Sequence, residues 1–378
     1  MYRIPLSKPS YMAYTDEVCE AVNKVIRSGH IAQGPIVEQF EQRIAEYTGC
    51  RYAIAVSSGT AGLFLCLKAC GIGPGDEVIT TPYTFIGTVF AIQQTGAKPL
   101  FCDVDRNTYN IDLSKLPTLW ENKHKAIMPV DILGLPVDIS NIANIPIILD
   151  SCESLGNHPE RPFTAQVFGM YPNKLLTTGE GGVICTNDKH LSDYCKAYRN
   201  QGRCPGDTWL DSSHEGFNYR TTDLQAAIGI IQLNNIDEII KRRRKVIQHY
   251  NDNGIYLSQR IDTNKYNPFV FVLECDFRDK VIQHLKDNSI ESKPYFPSVH
   301  LMKCMKGYKQ GDFPVSEEIS KRTLAIPYFA DMSESEVDEV CRVLKQALEV
   351  CYGFKSKKEW QNSMRCQKFT RRRRHIHR

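Results

Sequence analysis

The apolar positions of this 378-residue chain fall into short runs alternating with stretches of helical spacing. Thr15 to Ser28 repeats its apolar residues every three or four positions and stops at Gly29, which predicts a helix with a glycine just past its end. Val37 to Tyr47 does the same before Gly49. Tyr52-Ala-Ile-Ala-Val56 is a short apolar run, read as a buried strand, and Ser57-Ser58-Gly59-Thr60 breaks it before a helix from Ala61 to Cys70. Glu77 to Thr80 and Pro99 to Val104 read as strands around a helix at Thr84 to Gln94. Lys125 to Val130 and Pro146 to Leu149 are further apolar runs, each entering an aspartate, Asp131 and Asp150. Val183-Ile-Cys185 is another strand. Strand and helix alternating in this way argue for a mostly parallel sheet covered on both faces.

Beyond residue 182 the pattern changes. Lys189 to Arg199 is helical, and residues 203–219 form a polar segment too long for a plain connector. Asp223 to Tyr250 is one long helix or two joined ones. Strands at Pro268 to Leu273 and Glu291 to Tyr295 flank a helix at Asp279 to Asp287, and helices follow at Ser316 to Arg322 and Glu334 to Leu348. The expected organisation is a large α/β domain over 1–245, a smaller α+β domain over 246–354, and a tail over 355–378.

Composition adds three constraints. No apolar run reaches about 18 residues and the N-terminus has no apolar signal region, so neither a transmembrane helix nor a secretory signal is expected, and the location expected is cytoplasmic. The 14 cysteines show no Cys-x-x-Cys pairing and several lie inside apolar runs, which suits small buried hydrophobes in a reducing compartment and no metal site. The net charge is +4, but the tail holds ten Lys or Arg against one Glu; taking +9 from +4 leaves −5 on the preceding 354 residues. The tail reads as a disordered extension, and nucleic acid is not the partner expected from it.

Three segments carry candidate chemistry. Phe168 to Gly182 holds Lys174 between Asn173 and Leu175, with a glycine-rich turn behind it. A lysine kept among apolar side chains favours the neutral amine, a nucleophile towards carbonyls; the plain alternative is a surface lysine beside a turn. Ser57 to Thr60, between a strand and a helix, is either a phosphate cradle at a helix N-terminus or an ordinary N-cap. Asp150, at the end of an apolar run, is either the partner of a bound cation or an N-cap. A phosphate, a ring cation and a carbonyl together describe pyridoxal phosphate.

These motifs resemble the nucleotide-sugar aminotransferases of the DegT/StrS type. The resemblance runs through Gln33-Gly-Pro35, Ser58-Gly-Thr-Ala61, Gly73-Pro-Gly-Asp-Glu-Val78, Thr84-Phe85, Asp150-Ser-Cys-Glu-Ser-Leu-Gly156, Tyr171 to Gly182 and Gly216 to Ala227. It implies the PLP-dependent aspartate-aminotransferase fold and a transaminase that moves an amino group from glutamate to a nucleotide-linked keto-sugar. By the same resemblance Lys174 is the Schiff-base lysine, Asp150 the partner of the ring nitrogen, and Ser58, Gly59 and Thr60 the phosphate site. Phe85 and Glu153 would take the two ring faces. Asn218 would reach the phosphate of the neighbouring subunit in a homodimer, and Tyr219, Arg220 and His300 would face substrate. Arg203 and Lys293 are further candidates for the substrate diphosphate. Gly169 stands where many relatives carry a phosphate-binding serine. A sugar dehydratase on the same fold would replace the lysine by histidine, and a regulatory relative would lose the lysine or the aspartate; neither change is present.

Overall fold

A computed structural model describes residues 2–118, 124–142, 144–157, 159–208 and 210–352; the basic tail lies outside the described residues. The chain runs α1 (Asp16–Ser28), α2 (Pro35–Thr48), β1 (Tyr52–Val56), α3 (Gly59–Ala69), β2 (Glu77–Thr80), α4 (Ile86–Gln94), β3 (Lys98–Phe101), β4 (His124–Ile127), β5 (Ile148–Asp150), β6 (Ala165–Gly169) and β7 (Gly182–Thr186). It continues through α5 (Lys189–Arg199), α6 (Asp223–Asn234), α7 (Ile236–Asp252), β8 (Phe271–Glu274), α8 (Arg278–Asp287), β9 (Lys293–Pro294), α9 (Pro314–Arg322), β10 (Thr323–Ile326) and α10 (Glu334–Tyr352).

Helix ends are set by local chemistry. Thr15 caps α1 by accepting from the Val18 amide, and Gly29 closes it in the left-handed region at φ 77°. Thr222 and Gln225 form a capping box at the start of α6. Gly34, before α2, has no side chain to give, so the Asp223 carboxylate does this work from α6. It accepts from the amides of Gly34 and Val37, both at 2.9 Å, and Ile36 at 3.3 Å. The span Asp223–Tyr250 is two helices, with Asn235 at the break.

β5 pairs parallel with β6, and β7 runs antiparallel to both β6 and β1. β2 pairs parallel with β3 and β4. Parallel bridges Ile127–Ile147 and Val130–Asp150 join the two groups, giving the order β3-β2-β4-β5-β6-β7-β1. Among the described residues only β7 opposes the other strands of this sheet, so the mostly parallel sheet expected from the alternation is present. Both faces are buried. Ile54, Val56, Val167 and Ile184 pack under α3 and α5, while Ala53, Ala55, Phe168, Val183 and Cys185 pack under α2 and α6. Strands buried on both faces read as unbroken apolar runs, which is why β1 and β7 were legible.

The second unit is an antiparallel sheet, β8-β10-β9, backed by α7, α8 and α10. Tyr250, Phe271, Leu285, Leu324 and Leu344 form its core, and Ile4 joins them through a parallel bridge to Ile290. Glu274 of β8 ties this unit to the first by accepting from Arg106 and Tyr109, and it also accepts from Arg322 of α9.

Candidate active site

β1, β5 and β6 run in the same direction, so their carboxyl ends share one edge of the sheet. Ser58 to Thr60 follow β1, Asp150 ends β5, and Lys174 lies in the loop after β6. Ligands of parallel sheets sit beyond this edge.

Ser58 is the N-cap of α3, its hydroxyl accepting from the Ala61 amide at 3.1 Å. The amides of a helix's first turn have no acceptor within the helix and point outward. Glycines make the cradle close. A Cβ on Gly59 would lie 2.5 Å from Cys152 Sγ, and one on Gly182 would lie 2.6 Å from both Gly59 N and Ser58 C. A Cβ on Gly87 would lie 2.7 Å from Thr60 Oγ1 and 3.1 Å from the Phe85 ring. The cradle is therefore walled by backbone, the Thr60 hydroxyl, the Cys152 thiol and the Phe85 ring, with space for no further side chain, and its free helix amides suit an anion.

Asp150 is buried. Its Oδ2 accepts from Thr88 Oγ1 at 2.6 Å and its Oδ1 from the Cys152 amide at 3.2 Å. No α-helix begins after it, so the N-cap alternative for Asp150 does not describe this residue.

Lys174 Nζ lies 3.7 Å from Glu153 Oε1 and 4.2 Å from the centre of the Phe269 ring, with its side chain 17% exposed. Glu153 also accepts from the Leu133 amide at 2.9 Å and from Tyr295 Oη at 3.3 Å. Burial pushes the Glu153 carboxyl above its ordinary range, and the Lys174 charge and the Leu133 amide oppose that push. Burial likewise drives the Cys152 thiol well up, reinforced by Asp150 and opposed by Lys174. The lysine thus lies between Glu153 of the first unit and Phe269 of the second, and Tyr295 of the second unit holds Glu153. Leu133, in the left-handed region at φ 55°, accepts from the Phe269 amide at 2.8 Å and so fixes the platform under the amine.

Phe85 is exposed, its ring centre 6.4 Å from that of Phe296. The segment carrying Asn218 runs beside the cradle, since Tyr219 O accepts from the Ser57 amide at 2.8 Å. Asn218 itself is exposed, and the rings of its two chain neighbours, Phe217 and Tyr219, stack on each other. Arg220 donates to Asn200 and Gln201, and Lys293 is exposed on β9. His300 is buried, with Nε2 3.3 Å from Glu317 Oε1 and its ring against Phe313, so these contacts are not with the Lys174 and Asp150 cluster. Gly169 lies against Cys152, and a Cβ there would sit 3.2 Å from the Cys152 Cβ.

Sequence reasoning did not select Thr88, Gly87, Cys152, Phe269 or Tyr295. Thr88 is three residues after Phe85 on one helix, and that spacing was the available signal. Phe269 and Tyr295 arrive from the second unit, and no local pattern announces them.

The model of the DegT/DnrJ/EryC1/StrS aminotransferase family matches residues 13–345. The chain belongs to this family. It is 34% identical over 364 residues to the spore coat polysaccharide biosynthesis protein SpsC of Bacillus subtilis, covering 87% of this chain and 94% of that one. It is also 34% identical over 368 residues to the GDP-perosamine synthase of Escherichia coli O157:H7, covering 92% and 99%. A solved family aminotransferase from Brucella abortus superposes with a TM-score of 0.80 at 29% identity, over 88% of this chain and 95% of that one. The fold class and the sugar-aminotransferase activity expected from the motifs are those of this family. Among the described residues no helix is long and apolar enough to cross a membrane, and no group of His, Cys, Asp or Glu could hold a metal ion.

Proposed function

We propose that the protein transfers an amino group from glutamate to a nucleotide-linked keto-sugar, most simply a 4-keto-6-deoxyhexose, in the cytoplasmic synthesis of an amino sugar for a polysaccharide, glycan or glycosylated metabolite. The observation that carries this reading is the convergence of an amine, a buried carboxylate and a helix N-terminus on one sheet edge. That donor set fits pyridoxal phosphate. When bound, the cofactor supplies a ring that takes up the electron pair left at the substrate carbon. The chain's own residues do the rest. The amides of Gly59 and Thr60 and the Ser58 turn would hold the phosphate. Asp150 would hold a proton on the ring nitrogen, and Phe85 would cover one ring face, with Glu153 on the other side. Lys174 would bind the cofactor's carbonyl carbon and, once free, take a proton from the donor's α-carbon as general base.

Asn218 is exposed where it can extend to a neighbouring subunit, which supports a homodimer with shared sites. Tyr219 and Arg220 lie on the same segment. The names of the GDP-perosamine synthases among the relatives support a sugar bearing a nucleoside diphosphate. Incubation with glutamate and a panel of nucleotide 4-keto and 3-keto sugars tests the reading. Amino-sugar formation with at least one is expected; formation of none by protein that carries the cofactor would reject the substrate class.

A further inference from the structure

Asp150 does not stand alone under the site. Thr88 Oγ1 lies 2.6 Å from its Oδ2, and Thr84 Oγ1 lies 2.8 Å from Thr88 Oγ1. Both threonines are 1% exposed, so water does not share these contacts. A hydroxyl has one proton to give. A carboxylate oxygen can only accept, so the Thr88 proton goes to Asp150 and the Thr84 proton must go to Thr88. The result is a one-way chain, Thr84 to Thr88 to Asp150, in which each bond polarises the next. The Cys152 amide holds the other carboxylate oxygen. Each oxygen therefore has a fixed donor, and the Cys152 thiol, a further hydrogen-bond partner of the carboxylate, helps set its plane and the lone pairs left for a ligand. The elements explain the arrangement: Thr88 is in the first turn of α4, whose N-cap is Phe85, so one helix start serves both the ring face and the ring-nitrogen partner.

We propose that Thr88 is a positioning residue for Asp150, and that its hydroxyl keeps the shared proton on the cofactor's ring nitrogen rather than on the carboxylate. The inference rests on the reading that Asp150 faces that nitrogen. A carboxylate that loses its hydroxyl donor becomes the stronger base of the pair, and the proton moves towards it. The ring then takes up electrons less readily.

The test uses the full-length protein loaded with pyridoxal phosphate labelled with ¹⁵N in the ring, read by NMR, beside steady-state kinetics. Wild type should show a protonated ring nitrogen. Thr88→Val should move that resonance towards the unprotonated position and lower kcat by roughly tenfold or more, the rate equivalent of one lost hydrogen bond to a charged group, with the KM for the sugar unchanged. Thr88→Ser should keep the wild-type resonance, and Thr84→Val should move it less than Thr88→Val. If Thr88→Val fails to fold, Thr88→Ala gives the same reading, since it removes the hydroxyl without crowding the site. A wild-type resonance in the folded Thr88 variants, while Asp150→Ala shifts it, would overturn the role of Thr88 alone. A resonance that Asp150→Ala also leaves in place would overturn the placement of Asp150.

Discussion

Gly59→Ala probes the cradle with a single methyl group. The new Cβ would stand 2.5 Å from Cys152 Sγ. Apolar heavy atoms rest at about 3.5–4.0 Å, so the sulfur must retreat by roughly 1 Å. Cys152 cannot retreat freely, because its backbone amide is bonded to Asp150 and its Cβ faces Gly169. Overpacking of this kind costs about 1–3 kcal/mol. If the strain falls on the cradle, cofactor affinity drops roughly fivefold to 150-fold, at about 1.4 kcal/mol per tenfold. Cys152→Ala removes the clashing atom. It should cost about 1 kcal/mol by itself, the value of one buried methylene-sized group, yet return at least that much when added to Gly59→Ala. Residues in contact couple by about 0.5–3 kcal/mol, so the double variant should depart clearly from additivity. Urea denaturation of the four proteins gives the stability cycle, and cofactor titration gives the affinity cycle. If Cys152→Ala simply adds its own cost to that of Gly59→Ala, the two side chains do not meet, and the close packing described for the cradle is wrong.

Three further outcomes follow from other contacts. Gly182→Ala places its Cβ 2.6 Å from the backbone of Ser58 and Gly59, which cannot rotate away, so it should abolish cofactor binding and Cys152→Ala should not rescue it in the same titration. Burial pushes the Glu274 carboxyl up, but the Arg106 hydrogen bonds and charge, with the Tyr109 hydroxyl, outweigh it and hold the group below its ordinary value of 4.5. Its contribution is present above about pH 4.5 and lost as pH falls through the lower folded-state value, so Glu274→Gln should flatten the acid limb of a stability-versus-pH curve; an unchanged limb would refute the tie between β8 and Arg106. Mixing Lys174→Ala with Asn218→Ala chains should restore activity in heterodimers if sites are shared, and recovery no higher than either parent would count against sharing.

Most strands were legible because burial on both faces leaves an unbroken apolar run. β6 and β10 were not. β6 carries Gln166 in its middle, a polar side chain that survives burial only because it donates to Ser151 Oγ at 2.8 Å, a partner no sequence pattern reveals. β10 begins directly where α9 ends, at Thr323, without a turn residue to mark the change. The candidate residues Ser58 to Thr60, Asp150 and Lys174, which converge on one sheet edge, were legible because each stands where an apolar run meets glycine or polar punctuation. Its supporting contacts were not. Thr88 meets Asp150 across 62 residues, and Tyr295 meets Glu153 across 142, separations at which periodicity carries no information.

Lys174 is the residue on which the proposed chemistry turns. Borohydride reduction of the protein loaded with pyridoxal phosphate, followed by peptide mass spectrometry, tests it directly. The cofactor should be fixed to the peptide containing Lys174, and Lys174→Ala should bind the cofactor through the cradle and Asp150 without being labelled. Labelling at another lysine, or none in protein that has taken up the cofactor, would contradict the assignment.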